Sequence, residues 1–572
     1  MNQEKVSRKQ TKNTLLWMLR VSEGKRWNIL FLLVVELLLG GSGVLYALLM
    51  RGLIDCATAR DASGALHYGT VFVSLVVGQL ILRAIGRFLN ERSYSSLENC
   101  FKKHLFSCLL RGDYAAVSAQ HSGEWMKRLT SDTAVVASGM TQILPSLGGM
   151  LIKLVGALIV LISLEPRLAK ILIPLGFALI LVTYSFRKVL KKMHKTIQES
   201  DGRLRVFLQE RLSAMMIVRT FSREKVTLES ADEYMEDYRA ARMRRNHFSN
   251  FCNIGFGTIM RGAYVGGVIY GAVGIFRGTL TYGTMTAILQ LIGQVQSPFA
   301  NISGYIPRFY AMTASAERLM EADALCREES LPDHTESEIS SFYHSGFRAI
   351  ALRDLCFTYS APVGDDPEVR MPRVLSHLNI TIQKGHYVAL TGPSGCGKST
   401  LLKLLLGLYA PEGGQRLLLT DSGQIPLDIS WRGLFAYVPQ GNQLLSGTVR
   451  QVLTFGDKEK MQQDEKLWQA LTIACADDFV SALDRGLDSP LGERGAGLSE
   501  GQMQRLAIAR AIFSDRPILL LDEATASLDS DTETQLLKNL RAMTDKTVII
   551  VTHRPAALSI SDEVIPFTQD DE

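Results

Sequence analysis

The cysteines exclude more than they suggest. Eight are scattered along the chain and none forms a Cys-x-x-Cys pair, so neither a zinc site nor a disulfide framework is expected. No cleavable leader is visible. The N-terminus is polar and basic (Lys5, Arg8, Lys9, Lys12), and the apolar stretch behind it is too long for the core of a signal peptide. That stretch is expected to act as its own insertion signal, with the N-terminus in the cytoplasm. Internal repeats and low-complexity tracts are also missing. Proline is absent from two long connections, residues 90–140 and 188–252, where charged residues recur with Leu, Phe and Val at helical spacing. These connections are therefore expected to be helical rather than loop-like. A net charge of +5 does not mark a nucleic-acid binder, and no such partner is expected, because the cations collect between apolar stretches.

What is present divides into two blocks. Mean hydropathy is +0.10, an average over apolar runs in residues 28–320 and a mixed pattern in 345–572. Residues 14–26 read as a short amphipathic helix at a membrane surface. Apolar spans follow near 28–54, 67–89, 141–164, 168–187, 253–276 and 284–306. Each is near or above the roughly 20 residues that cross a bilayer. The basic residues of the two long connections (Arg92, Lys102, Lys103, Arg111, Lys127 and Arg128; Arg187, Lys188, Lys191, Lys192 and Lys195) place both connections inside. The reading is a polytopic all-α membrane domain of six spans over 27–326, after an N-terminal arm of 1–26. A polar linker over 327–345 leads to an α/β domain over 346–572. Membrane lipid is one expected partner. The arm is expected to hold no cysteine peptidase domain.

The C-terminal block carries the chemistry. Gly392-Pro393-Ser394-Gly395-Cys396-Gly397-Lys398-Ser399-Thr400 fits G-x-x-x-x-G-K-[ST] between an apolar strand-like run and a helix-like one. Its glycines let backbone N–H groups turn inward around phosphates. The helix that starts near Lys398 points its positive end at the same anion. Lys398 offers a point charge to the β- and γ-phosphates, and Ser399 a hydroxyl ligand for Mg²⁺. The apolar run Ile518–Leu521 ends in Asp522-Glu523. Two adjacent carboxylates at the end of a buried strand are costly without a cation. Asp522 is thus assigned to Mg²⁺ and Glu523 to the attacking water, as base or positioning group. Gln440, in Tyr-Val-Pro-Gln, reaches the metal or the water, and His553, in Val-Thr-His-Arg, reaches the γ-phosphate.

With Leu498-Ser499-Glu500-Gly501-Gln502 added, these motifs resemble the ATP-binding cassette (ABC) family, and the resemblance covers nearly the whole chain. It implies a P-loop NTPase fold of ABC type behind an exporter-type membrane domain, with ATP and Mg²⁺ as cofactors. By the resemblance, Ser499, Glu500, Gly501 and Gln502 face ATP bound to the other subunit, Ser499 and the Gly501 backbone making the contact. Tyr359 is the aromatic that stacks on adenine, and Asp529, in Ala526-Ser-Leu-Asp529, belongs to the loop coupling the two sites. Residues 492–495 resemble an exporter segment that touches the intracellular helices. Segments near Gly112–Ser118 and Ile217–Val226 are the implied coupling helices. Family consensus at position 500 is Gly. A carboxylate there would repel a γ-phosphate by roughly 1–4 kcal/mol at about 4 Å, unless it points away. A second copy of this chain is the expected partner, with a related half-transporter as the alternative.

The membrane block says little about cargo. Glu36, Lys153 and Arg261 fall within apolar spans, where ionisable groups mark pathways or interhelical pairs. Gln290 and Gln294 share a helix face, lining a cavity or packing helices. Peptide, lipid and amphiphilic small molecules stay open as cargo, moved out of the cytoplasm or inner leaflet. An ATP-gated channel is the rival use of the same parts. A soluble ATPase of DNA maintenance conflicts with the apolar spans. The expected location is a bacterial plasma membrane, with both termini cytoplasmic.

Overall fold

The proline-free connections and the apolar spans fold together as continuous helices. The computed structural model describes residues 2–120, 122–325, 334–359, 372–441, 444–492, 495 and 497–567. The chain divides into two units, residues 1–107 with 126–323, and residues 108–125 with 324–572.

The helices of the first block, in order, are α1 Asn2–Val21, α2 Arg26–Thr58, α3 Ala62–Arg111, α4 Tyr114–Ser118, α5 Ser122–Lys127, α6 Thr133–Ser138, α7 Leu144–Leu164, α8 Pro166–Ser213, α9 Met215–Thr220, α10 Glu224–Phe276 and α11 Tyr282–Asp323. Among the described residues, four helical stretches, Glu23–Thr58, Ala62–Arg111, Ser122–Leu164 and Glu224–Phe276, are long and apolar enough to cross a membrane, and α8 and α11 cover the stretches of the other two expected spans. The 50 residues of α3 and 53 of α10 extend far beyond the apolar part. At about 1.5 Å per residue, 50 residues reach about 75 Å, more than twice a bilayer core.

In the first unit, α2 and α7 meet through small residues. A Cβ on Gly40 would lie 2.4 Å from the Gly149 carbonyl oxygen, and one on Gly149 would lie 2.6 Å from that of Glu36. Backbones approach this closely only where side chains are missing. Two π-helical turns, Arg128–Asp132 and Gly139–Ile143, interrupt the helix that becomes α7. The first buries Asp132, which accepts hydrogen bonds from Arg318 Nε (2.8 Å) and Nη2 (2.6 Å) on α11. The amphipathic segment is not solely a surface element. Trp17 is 8% exposed, and its Nε1 donates to Asp323 Oδ2 at 2.9 Å, which pins α1 to the end of α11.

The second unit is built on two sheets. An antiparallel sheet, in the order β2-β1-β4-β5, comprises β1 Phe347–Thr358, β2 Arg373–Gln383, β4 Gly413–Thr420 and β5 Gly423–Pro426. A parallel sheet, in the order β11-β3-β10-β9-β6, comprises β3 Tyr387–Thr391, β6 Phe435–Val438, β9 Ile518–Asp522, β10 Thr547–Val551 and β11 Glu563–Pro566. A short pair, β7 Gly447–Thr448 and β8 Pro490–Leu491, completes the strands. Side chains of the parallel strands alternate between two cores. Leu519, Leu521, Val548 and Ile550 face the helical layer, whereas Ile518, Leu520, Ile549 and Val551 face the antiparallel sheet. Helices α13 Lys398–Leu405, α14 Val449–Thr454, α15 Asp464–Ile473, α16 Asp477–Ser481, α17 Glu500–Phe513, α18 Ser530–Arg541 and α19 Pro555–Ile560 surround the strands, preceded by α12 Glu336–Ser345.

That last helix corrects the linker reading of 327–345. Thr335 and Glu338 form a capping box, and Tyr343 is 1% exposed, its hydroxyl 2.8 Å from Thr547 Oγ1. No disulfide framework is expected from the sequence; six described cysteines are free, but Cys108 is disulfide-bonded. The first expected coupling segment contains α4, within the second unit, where Tyr114 meets Tyr409 edge to face at 5.7 Å. The second contains most of α9, which ends two residues before a turn at Ser222.

Candidate ATP site

Parallel pairing sets the ends of the strands side by side. In register, Val551 pairs with Asp522 and with Leu390, and Val438 pairs with Leu521. Four chain segments therefore leave the same edge of the sheet: Gly392–Gly397 after β3, His553 after β10, Glu523 after β9 and Gln440 after β6. Ligands of open parallel sheets bind at this carboxyl edge.

The loop after β3 needs glycine at three places, with φ of +139° at Gly392, +88° at Gly395 and +98° at Gly397. Lys398 opens α13 and is 5% exposed. Its Nζ folds back to donate to the carbonyls of Gly392 (2.6 Å) and Pro393 (2.7 Å) and approaches Cys396 Sγ at 3.4 Å. An ammonium held only by carbonyls and a thiol is ready to exchange them for phosphate oxygens. Ser399 Oγ donates to Asp522 Oδ1 at 2.9 Å, and Tyr437 OH to Asp522 Oδ2 at 3.2 Å. Burial raises the Asp522 carboxyl above the usual range, and these two hydroxyls lower it in part. A buried carboxylate beside a serine hydroxyl is a hard oxygen pair, the donor set that suits Mg²⁺.

Glu523 is less buried and takes a left-handed conformation, φ +49°. Its N–H donates to the Val551 carbonyl at 3.1 Å, and its Oε2 accepts from Gln440 Nε2 at 2.8 Å. The two proposed water-handling groups are therefore already joined. His553 is exposed at the same edge. Tyr359, one residue past β1, bonds Thr400 Oγ1 through its hydroxyl at 2.8 Å and packs edge to face on Phe357 and Tyr409.

The Leu498–Gln502 motif lies at the start of α17. Ser499 caps that helix: its Oγ accepts from Gln502 N at 3.3 Å, while Gln502 Oε1 accepts from Ser499 N at 2.9 Å. The Gln502 side chain is thus engaged in its own chain. Glu500 is exposed at the first helical position, where a carboxylate is favoured by the helix dipole. Gly501 is a close approach. A Cβ there would lie 3.0 Å from the Ser527 carbonyl oxygen. Asp529 caps α18, and hydrogen bonds from Thr532 hold its carboxyl below the usual range. In the 492–495 segment, Glu493 and Arg494 lie outside the described residues.

Sequence reasoning missed Tyr437, Gln504, Tyr409 and Arg554. Gln504 is buried three residues past Gly501 and bonds Ser527 through both ends of its amide. Of the cargo candidates, Lys153 Nζ donates to Ser297 Oγ at 3.2 Å, and Gln294 Nε2 to the Gly43 carbonyl at 2.5 Å. Gln294 is 5% exposed, which makes it a helix-packing contact between α11 and α2, whereas Gln290 and Arg261 are exposed.

Two family profiles match the chain: "ABC transporter transmembrane region" over residues 29–299 and "ABC transporter" over residues 375–526. Among curated relatives, a multidrug resistance ABC transporter ATP-binding and permease protein of Lactococcus lactis is 29% identical over 77% of this chain and 72% of its own length. Antigen peptide transporter 2 of Rattus norvegicus is 29% identical over 85% and 66%. The ATP-dependent lipid A-core flippase of Mannheimia succiniciproducens is 25% identical over 92% and 87%. A solved bacterial Atm1-family ABC exporter with ATP bound shares the fold, with a TM-score of 0.74 over 96% of this chain and 94% of that one, at 22% identity. Exporters of this kind work as dimers. The chain is a membrane protein with an ATP-binding domain, and it belongs to the ABC transporter family as an exporter-type half-transporter whose ATPase drives transport.

Proposed function

We propose that two copies of this chain export an amphiphilic molecule, a peptide, lipid or small compound, by alternating access across a bacterial plasma membrane with both termini inside. The observation that carries the catalytic part is the alignment of four strand ends. It brings the phosphate loop, Asp522-Glu523, Gln440 and His553 to one edge. In this reading Gly392–Thr400 and Tyr359 hold ATP, and Ser399, Asp522 and Gln440 hold Mg²⁺. Bound Mg²⁺ supplies charge neutralisation at the phosphates. Glu523, oriented by Gln440, takes the proton of the attacking water, and His553 steadies the γ-phosphate. Ser499 to Gln502 of the second copy, with Asp529, close the site. The tip at α9 serves in this reading as a coupling segment that docks on an ATPase unit, and its exposed Met216 (82%) and Phe221 (70%) support that role. Lys153 is proposed as a cargo contact.

Glu500 favours a second reading, in which the partner is a different half-transporter with a consensus signature. Its exposed place at the head of α17, where the helix dipole favours a carboxylate, supports self-sufficiency instead. ATP turnover of the full chain expressed alone in lipid nanodiscs tests both. Turnover that falls at least about 100-fold in Glu523→Gln is expected for a homodimer. Folded protein with no turnover would transfer the reading to a heterodimer.

A further inference from the structure

Loop 524–529 links Glu523 to α18 and is held from two sides. On one side is the signature helix. Gln504 Oε1 accepts from Ser527 N at 3.0 Å, and Gln504 Nε2 donates to Ser527 Oγ at 3.3 Å. On the other is Arg554, the residue after His553. Its Nη1 donates to the Leu528 carbonyl at 2.8 Å and to Glu533 Oε2 at 3.0 Å, and its Nη2 donates to the Ala526 carbonyl. Glu533 is 3% exposed, and its other oxygen accepts from Thr525 Oγ1 at 2.7 Å. One guanidinium therefore joins two loop carbonyls to a buried carboxylate that also holds the loop's start.

We propose that Arg554 is a positioning residue for ATP hydrolysis. It fixes the loop that begins at Glu523 against the strand end that delivers His553, and so sets where the Glu523 carboxylate stands relative to the γ-phosphate. The inference rests on the roles proposed above for Glu523 and His553. Glu523 occupies a left-handed conformation, φ +49°, which persists only where the surroundings enforce it. The Glu523 carbonyl accepts from Ala526 N at 3.1 Å, and the Arg554 fork holds Ala526 through its own carbonyl. A planar fork with several donors in fixed directions can serve three acceptors at once, and an ammonium on a flexible stem cannot reproduce that geometry. The same loop contacts Gln504, so movement of α17 reaches Glu523 through a segment that Arg554 keeps stiff.

The experiment uses the full chain in lipid nanodiscs. ATP turnover is measured against ATP concentration, and nucleotide affinity in EDTA by displacement of a fluorescent ATP analogue. Arg554→Ala is expected to lower kcat by about 10- to 100-fold, as misplacement of a reacting group by about 1 Å does, with nucleotide affinity within about twofold of wild type. Arg554→Lys restores only part of kcat. Glu533→Gln, isosteric and kept as a variant that folds, lowers kcat with the same split. Wild-type kcat in Arg554→Ala overturns the inference, provided Glu523→Gln is inactive. So does a parallel loss of kcat, nucleotide affinity and thermal midpoint in all three variants, the signature of a purely structural role. Turnover that survives in Glu523→Gln overturns the underlying reading of the site, and this inference with it.

Discussion

The Asp522 carboxyl is 2% exposed, and burial raises its pKa above that of an unfolded aspartate. In the pH window between the unfolded and folded values, the folded chain holds the extra proton, so stability falls as pH rises through it. Above the folded value the cost of the ionised group is fully present. Asp522→Asn is therefore expected to raise the thermal midpoint of the metal-free protein at neutral pH, read by scanning fluorimetry in EDTA. The same variant should lower Mg²⁺-dependent turnover about 100-fold. A midpoint below wild type would show that the charge stabilises the site without metal. Asp522 was legible in the sequence because it ends an apolar run and neighbours a second carboxylate. Tyr437 was not, although it donates to the same carboxylate, because a tyrosine in a strand carries no mark of where its hydroxyl will end. Gln504 and Arg554 were hidden for a like reason: their partners lie over twenty positions away and are partly backbone atoms.

Helices and strands follow patterns that extend over many residues, and the long ones were correspondingly readable. The absence of proline and the helical spacing foretold that α3, α8 and α10 would continue past the bilayer. The segment 334–345 misled because its acidic composition hid a short helix. Its signal was present, a Thr335-x-x-Glu338 box ahead of Ile339, Phe342 and Tyr343. The π-helical turns ahead of α7 carry no capping or chain-breaking pattern of that kind, because the chain stays helical through them. Gly149→Leu should separate α2 from α7, because the added side chain meets the backbone at Glu36. Overpacking by about 1–3 kcal/mol should reduce the folded fraction in detergent, seen by fluorescence-detected size exclusion. An unchanged elution profile would refute the close packing. Tyr409→Ala removes ring contacts to Tyr114, Phe357 and Tyr359, worth roughly 1 kcal/mol each. It should loosen residues 108–125 and increase tryptic cleavage at Arg111, with ATP present or absent; equal cleavage rates would show that this segment is held elsewhere.

For the molecule as a whole, the ATPase unit is assembled from two stretches of chain far apart in sequence. Residues 108–125 belong with 324–572 rather than with the membrane helices that flank them. The aromatic contact of Tyr114 with Tyr409, and of Tyr409 with Tyr359, joins that borrowed segment to the ring proposed to meet adenine. This arrangement has a consequence for how the protein is made. A ribosome adding about 5–20 residues per second needs roughly 15–60 s to travel the roughly 300 residues from Tyr114 to Tyr409. During that interval the segment has emerged and its receiving surface does not exist. The unit that hydrolyses ATP is thus completed only after the membrane helices between Tyr114 and Tyr409 have been made, and a nascent chain cut short before Tyr409 carries an aromatic anchor with nowhere to dock.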